Sequence, residues 1–173
     1  MATSVHGTLR PNGAPVLRRE ILANSITVTV LDSVKVASGF IALGTAGALV
    51  FGHVMGIGTN KGVGLTTTGV VGAELGSYFG TFATASDNQT VAMVRAECDV
   101  SKETLMSFTP SAALGTTTGS NLLGYRIDLS DEDTTDEATA HATNTSQYHI
   151  WGVDPQVSTN HVISILESGP FGV

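Results

Sequence analysis

The chain has 173 residues, of which 42% are hydrophobic and only 13% charged, with 20 glycines, one cysteine and a formal net charge of −7. That size suits a single domain with an appendage and is enough to bury a core, while the apolar content excludes bulk disorder. The negative charge argues against a nucleic-acid binder, and the lone Cys98 excludes an intrachain disulfide.

The first 24 residues, MATSVHGTLRPNGAPVLRREILAN, carry no sustained period, and Pro11, Gly13 and Pro15 preclude a long helix. They contain no apolar stretch of the signal-peptide kind, so synthesis in a cytoplasm is expected. Up to residue 19 the only charges are Arg10, Arg18 and Arg19, which makes a basic segment ahead of an acidic body. An extended arm over 1–24 is expected, reaching away from a β-rich body over 25–173. Two small β subdomains with a break near 59–90 are one option within that body.

Next, SITVTVLDSVKV alternates, with Ile26, Val28 and Val30 on one face, and reads as a strand. Ala37-Ser38-Gly39 and Gly44 to Gly47 read as turns around a short strand from Phe40 to Leu43. The window Gly39 to Gly58 is about as long and as apolar as a membrane span, but each of its six glycines costs a helix about 1 kcal/mol relative to alanine. Strands separated by turns use those glycines without cost. In the last of these strands Leu49, Phe51, His53, Met55 and Ile57 are expected on one face, and Val50, Gly52, Val54 and Gly56 on the other. No membrane contact is expected.

Residues 59–90 are rich in Gly and Thr and read as short strands and loops. VAMVRAECDV alternates with Val94, Ala96, Cys98 and Val100 inward, which makes Cys98 a small core residue. SKETLMSF reads as one helical turn capped by Ser101. Strands are expected at Leu122 to Leu129, in SQYHIWGVDP and in NHVISILESGPFGV. The class is all-β: a compact β-barrel or β-sandwich-like body with an extended N-terminal arm.

No motif carries chemistry. GTTTGSN at Gly115 lacks the lysine of a phosphate loop. Asp131, Glu132, Asp133, Asp136 and Glu137 form an acidic loop without EF-hand spacing and read as a solvated turn, with a cation site as the alternative. His6, His53, His141, His149 and His161 form no HxxxH or HExxH pair, and there is no GxSxG elbow. No enzyme activity, cofactor or metal is expected.

The order of pieces is suggestive. LDSVKVASGFIALGTAGALVFGHVMGIG, then LGTTTGSNLLGYRIDL, an acidic stretch, YHIWGVDP and VISILESGPFG resemble the head decoration, or capsid cement, proteins of tailed bacteriophages. The resemblance implies a virion protein on the capsid exterior, made in the host cytoplasm, that binds the major capsid protein and itself as a homotrimer and clamps neighbouring coat subunits. The expected contact residues are Arg10, Val16, Leu17, Arg18, Arg19, Ile21 and Leu22 of the arm, with Trp151 and Phe171. The alternatives are a β-rich tail or head-fibre binding module, or a minor coat protein.

Overall fold

The computed structural model describes residues 4–8, 15–59, 81–84, 86, 88, 94–112, 124–136 and 147–166. Arg10, Phe171, Glu137, His141, the GTTTGSN segment and most of the 59–90 stretch lie outside them. Among the described residues the fold is all-β, as the alternation predicts, and no helix is long and apolar enough to cross a membrane.

The described residues form thirteen strands in chain order: β1 Ser4–Thr8, β2 Leu17–Ile21, β3 Thr27–Thr29, β4 Ser33–Ala37, β5 Phe40–Leu43, β6 Gly52–Thr59, β7 Thr81–Ala83, β8 Val94–Asp99, β9 Thr104–Pro110, β10 Arg126–Asp131, β11 Thr134–Asp136, β12 Tyr148–Val153 and β13 His161–Ile165. They build two units. The first is a curled sheet in the order β2-β8-β6-β4-β5, whose edges meet at a single bridge between Leu22 and Ile41. The β3–β7 ribbon contributes Val28 and Phe82 to its core, beside Leu22, Val34, Ile41, Val54, Ile57, Val94, Ala96 and Cys98. The second is a closed five-stranded barrel: β9, β11, β10, β12 and β13 pair in turn, and β13 returns to β9. Met106, Phe108, Ile127, Leu129, Tyr148, Ile150, Ile163 and Ile165 fill it, as a barrel this narrow requires.

Local chemistry explains the strand breaks. SITVTVLDSVKV is two strands, not one. Leu31 has φ +83°, and the Asp32 carboxylate accepts the Thr29 N–H at 2.6 Å, which folds Thr29–Asp32 into a tight turn inside the alternating run. Ser38 and Gly39 both have positive φ, 51° and 82°, matching the two-residue hairpin between β4 and β5. A bulge between Val54 and Gly56 shifts the face of β6, so Val54 and Ile57 both enter the first core, contrary to the simple alternation. The expected helical turn at Ser101 is absent: Ser101 Oγ accepts the Glu103 N–H at 3.1 Å in a side-chain turn, and Thr104 onward is strand.

The N-terminal segment is extended, but its described part does not reach away. β2 pairs along β8 from Leu17↔Asp99 to Ile21↔Arg95, and β1 pairs with β9 of the barrel. The chain thus enters the second unit, then the first, before building either. The strands on both sides of 59–90, β6 and β8, are neighbours in one sheet, so the units divide between β8 and β9 instead.

The units are pinned together. Tyr148 Oη donates to Ser33 Oγ at 2.8 Å, Gln147 Nε2 donates to the carbonyls of Thr45 and Ala48, and Ser33 N–H donates to Glu132 O at 2.7 Å. His53 of β6 lies 5.6 Å from the Phe108 ring and 5.7 Å from the Tyr148 ring. At Gly52, a Cβ would strike the Asp99 carbonyl oxygen on β8. Pairing with both β4 and β8 leaves this part of β6 little room to retreat. Gly52→Ala is therefore expected to cost about 1–3 kcal/mol, read as a lower urea midpoint at unchanged slope.

Candidate functional site

Four buried carboxylate or amide groups look like candidates for chemistry, and each is committed to the fold. Asp99 accepts from Val16 N–H at 3.1 Å, Ser101 N–H at 2.9 Å and Thr104 Oγ1 at 2.5 Å, tying β2 and β9 to the end of β8. Asn88 donates to Leu22 O at 2.6 Å and accepts from Val94 N–H at 2.8 Å. Asp154 accepts from Ser107 Oγ at 2.6 Å and Gln156 N–H at 2.7 Å, while Asn160 Nδ2 donates to Ser107 Oγ at 3.1 Å. Ser107 and His161 do not form a relay: His161 sits opposite Phe108 on the barrel's inward face, and Ser107 faces the other way. Burial of the Cys98 thiol in the first core, with Glu20 and Asp99 nearby, pushes it up to about 12, which leaves it unreactive at neutral pH. Among the described residues no group of three His, Cys, Asp or Glu side chains is placed to hold a metal ion.

Two histidines carry unmet hydrogen-bonding capacity. Neither His53 nor His161 makes a well-formed hydrogen bond through its ring nitrogens, His53 facing only the Leu31 backbone, and both residues are at most 1% exposed. Burial lowers each imidazole to about 4, so both are neutral at pH 7. Asp32 moves the opposite way: it is 5% exposed, and burial raises it to about 6, with Asp133 and Asp131 adding to the rise. The signs oppose. Between about pH 6.5 and 4 the unfolded chain binds protons at His53 and His161 that the folded chain refuses, so acid destabilises by up to about 1.4 kcal/mol per pH unit per histidine. Below about pH 6 the folded chain binds a proton at Asp32 that the unfolded chain does not take up until about pH 4, so acid stabilises there. Asp32→Asn removes one compensating group, and its urea midpoint is expected to fall more steeply than wild type from pH 6 to 4.

The sequence-expected contact residues separate into three places. Val16, Leu17, Arg18 and Arg19 are exposed on or beside β2, with Leu17 at 53%. Ile21 is partly covered. Leu22 is fully buried in the first core, so it is an internal residue and not a surface anchor. Trp151 lies on the barrel's outer side at 42% exposure, with its indole N–H donating to Ser164 Oγ at 2.9 Å and its ring 6.3 Å from that of His149. It is therefore outside both cores.

β2 brings several of these features together. It stands at the edge of its sheet, and the far edge, β5, approaches its C-terminal end and bridges to it at Leu22–Ile41, where Ala23 N–H donates to Ile41 O at 2.7 Å. Val100 N–H donates to Val16 O, and Leu22 N–H donates to Val94 O, both at 2.9 Å. Antiparallel alternation then turns the backbone groups of Val16, Arg18, Glu20 and Leu22 toward β8, and those of Leu17 and Arg19 outward. The Arg19 guanidinium lies over Gly58 of β6, in the space a Cβ there would occupy. The outcome is an open strand edge with an apolar step at Val16 and Leu17 and Arg18 beside it, while the Arg19 side chain reaches across β8 to β6. Sequence reading singled out these residues by charge and hydropathy, but assigned them to a free arm. No family model, curated protein or solved structure matches the chain.

Proposed function

We propose that this chain is a structural protein of a bacteriophage head, which binds the outside of the capsid and holds neighbouring coat subunits together. The observation that supports this reading is the open edge of β2. Its outward backbone groups suit addition of an extended segment from a coat subunit, and the exposed Val16 and Leu17 supply apolar contact. Arg18 beside that edge, with Arg19 on the adjoining sheet face, disfavours pairing with the same edge of a second copy and favours an acidic partner. The low charge content fits a surface that is covered in the assembly, and self-association as a homotrimer belongs to the same proposal.

The test is co-sedimentation with heads that lack the protein. The wild-type chain is expected to pellet with heads, and Arg18→Glu/Arg19→Glu to bind at least about tenfold more weakly, with the wild-type affinity falling as salt rises. Removing residues 1–24 is the wrong test, because it deletes β2 and Leu22 and so breaks the first core. Equal binding by the charge-reversed chain would move the shell contact elsewhere, and no binding by wild type would reject the capsid reading.

A second reading, a saccharide-binding module of a tail or head fibre, draws on Trp151. Its indole is fixed by Ser164 with one side in solvent, and His149 lies beside it with Arg126 opposite His149 on β10. Trp151 is the only tryptophan, so quenching of its fluorescence by added oligosaccharide would favour this reading over the first.

A further inference from the structure

We propose that the apposed turns around Asp32 and Glu132 form a pH-sensitive clasp between the two units, closed in mildly acidic solution and loosened above neutrality. The inference is independent of any capsid role.

The geometry is a joint between two turns. In the first unit, Thr29–Ser33 wraps the Asp32 carboxylate, which takes the Thr29 N–H at 2.6 Å and is almost fully buried. In the second, the turn between β10 and β11 carries Asp131, Glu132 and Asp133 in succession. Asp131 accepts the Glu132 N–H at 2.9 Å, and Asp133 accepts from Thr134 Oγ1 at 2.7 Å. The strap that closes the joint is Ser33 N–H donating to Glu132 O at 2.7 Å. Asp32, the residue before the strap's donor, and Glu132, its acceptor, are thus brought together from opposite units.

The charges that act on this joint are carboxylates. Asp133 and Asp131 act on Asp32, and Asp131 and Asp32 act on Glu132. The neighbouring cation on β4, Lys35, is turned to Thr45, with Nζ donating to Thr45 Oγ1 at 2.7 Å. His53, opposite Ser33 on β6, is neutral well above pH 4 and supplies no counter-charge. A hydrogen bond with Asp131 is the largest influence raising Glu132, to about 7, with burial next; the same contact lowers Asp131. Asp32 is raised to about 6, chiefly by burial.

The sign follows. Asp32 holds a proton more tightly in the closed joint than in an open one, where water restores its ordinary acidity; Glu132, raised chiefly by its own neighbour Asp131, loses only the smaller contributions of burial and Asp32 on opening. Closure is therefore favoured below about pH 6 and loses that advantage as the pH rises through 6 to 7, when Asp32 ionises beside Asp131 and Asp133 and Glu132 adds a further charge to their turn. Opening separates like charges at the cost of the Ser33–Glu132 strap.

The test is hydrogen exchange of the Ser33 amide in the full chain, with the intrinsic base-catalysed rate divided out. Its opening constant is expected to rise at least about tenfold from pH 5 to pH 8, since a group that is tenfold more acidic in the open joint than in the closed one favours opening about tenfold once it ionises. Amides inside the sheets, such as Cys98 and Ile163, are expected to stay flat over the same range. In Asp32→Asn, whose amide oxygen still accepts from Thr29, the rise at Ser33 is expected to shrink to about twofold. Glu132→Gln, in a partly exposed turn, removes one carboxylate facing Asp32 and is expected to lessen the rise by a smaller factor, and it serves if the first variant does not fold. A flat wild-type profile, or an undiminished rise in the variant that folds, overturns the clasp.

Discussion

Phe108→Ala is expected to lower stability by about 3–5 kcal/mol, a large share of what holds a domain of this size together. Phe108 is fully buried on β9, the strand that meets β13 on one side and β1 and β11 on the other. Its ring lies 5.8 Å from Tyr148 and 5.6 Å from His53, so it fills the barrel and touches the first unit at once. Removing it opens a cavity between groups that other strands hold in place, and such a cavity collapses poorly. The cavity also borders the ring nitrogens of His53, which make no well-formed hydrogen bond. Water admitted there would supply a hydrogen-bond partner and bring the imidazole up toward its ordinary value. Urea unfolding together with NMR titration of His53 reads both effects. A loss below about 1 kcal/mol would mean that the barrel can repack around the gap.

Leu22→Ala is expected to cost about 2–5 kcal/mol. Leu22 closes the seam of the first unit: its N–H goes to Val94 O, its carbonyl takes the Asn88 amide, and its side chain lies wholly inside the core. Leu17→Ala, five residues earlier in the same segment, removes an exposed side chain and is expected to change stability by no more than about 0.5 kcal/mol. Thermal melts of the two variants decide between a structural β2 and a loose tail. If both are silent, β2 is not held in the sheet in solution.

The all-β class was legible because alternation is a local signal. Val94, Ala96 and Cys98 face inward as their spacing requires, and Ser38-Gly39 makes the hairpin that its composition announces. The pairing of β2 was not legible. Its residues have no period of their own because Leu17–Glu20 is exposed throughout, and its partner β8 lies some eighty residues downstream. The break at Leu31 was hidden for a related reason: the apolar register of Val28 and Val30 resumes at Val34 and Val36 across a turn fixed by one side-chain hydrogen bond. The acidic loop was visible as composition, but its tie to the Asp32 turn joins residues about a hundred positions apart and reverses the simple picture of a solvated turn. Arg18 and Arg19 were legible as a basic step on an acidic protein, whereas the open edge beside Arg18 and the reach of Arg19 across β8 are properties of the folded sheet.

The order in which the chain visits its two units has a consequence for synthesis. β1 and β2 leave the ribosome well before their partners β9 and β8, which follow only after roughly eighty to a hundred more residues. At roughly 5–20 residues per second, both N-terminal strands wait for several seconds as unpaired edges. β4, β5 and β6 can pair among themselves in that interval, but β2 cannot join them until β8 arrives, because β8 lies between β2 and β6. Such non-local pairing places refolding in the slow, millisecond-to-second range of β proteins. The nascent chain therefore passes through a stage at which the same edge of Leu17–Arg19 that stays open in the finished molecule is open on both sides.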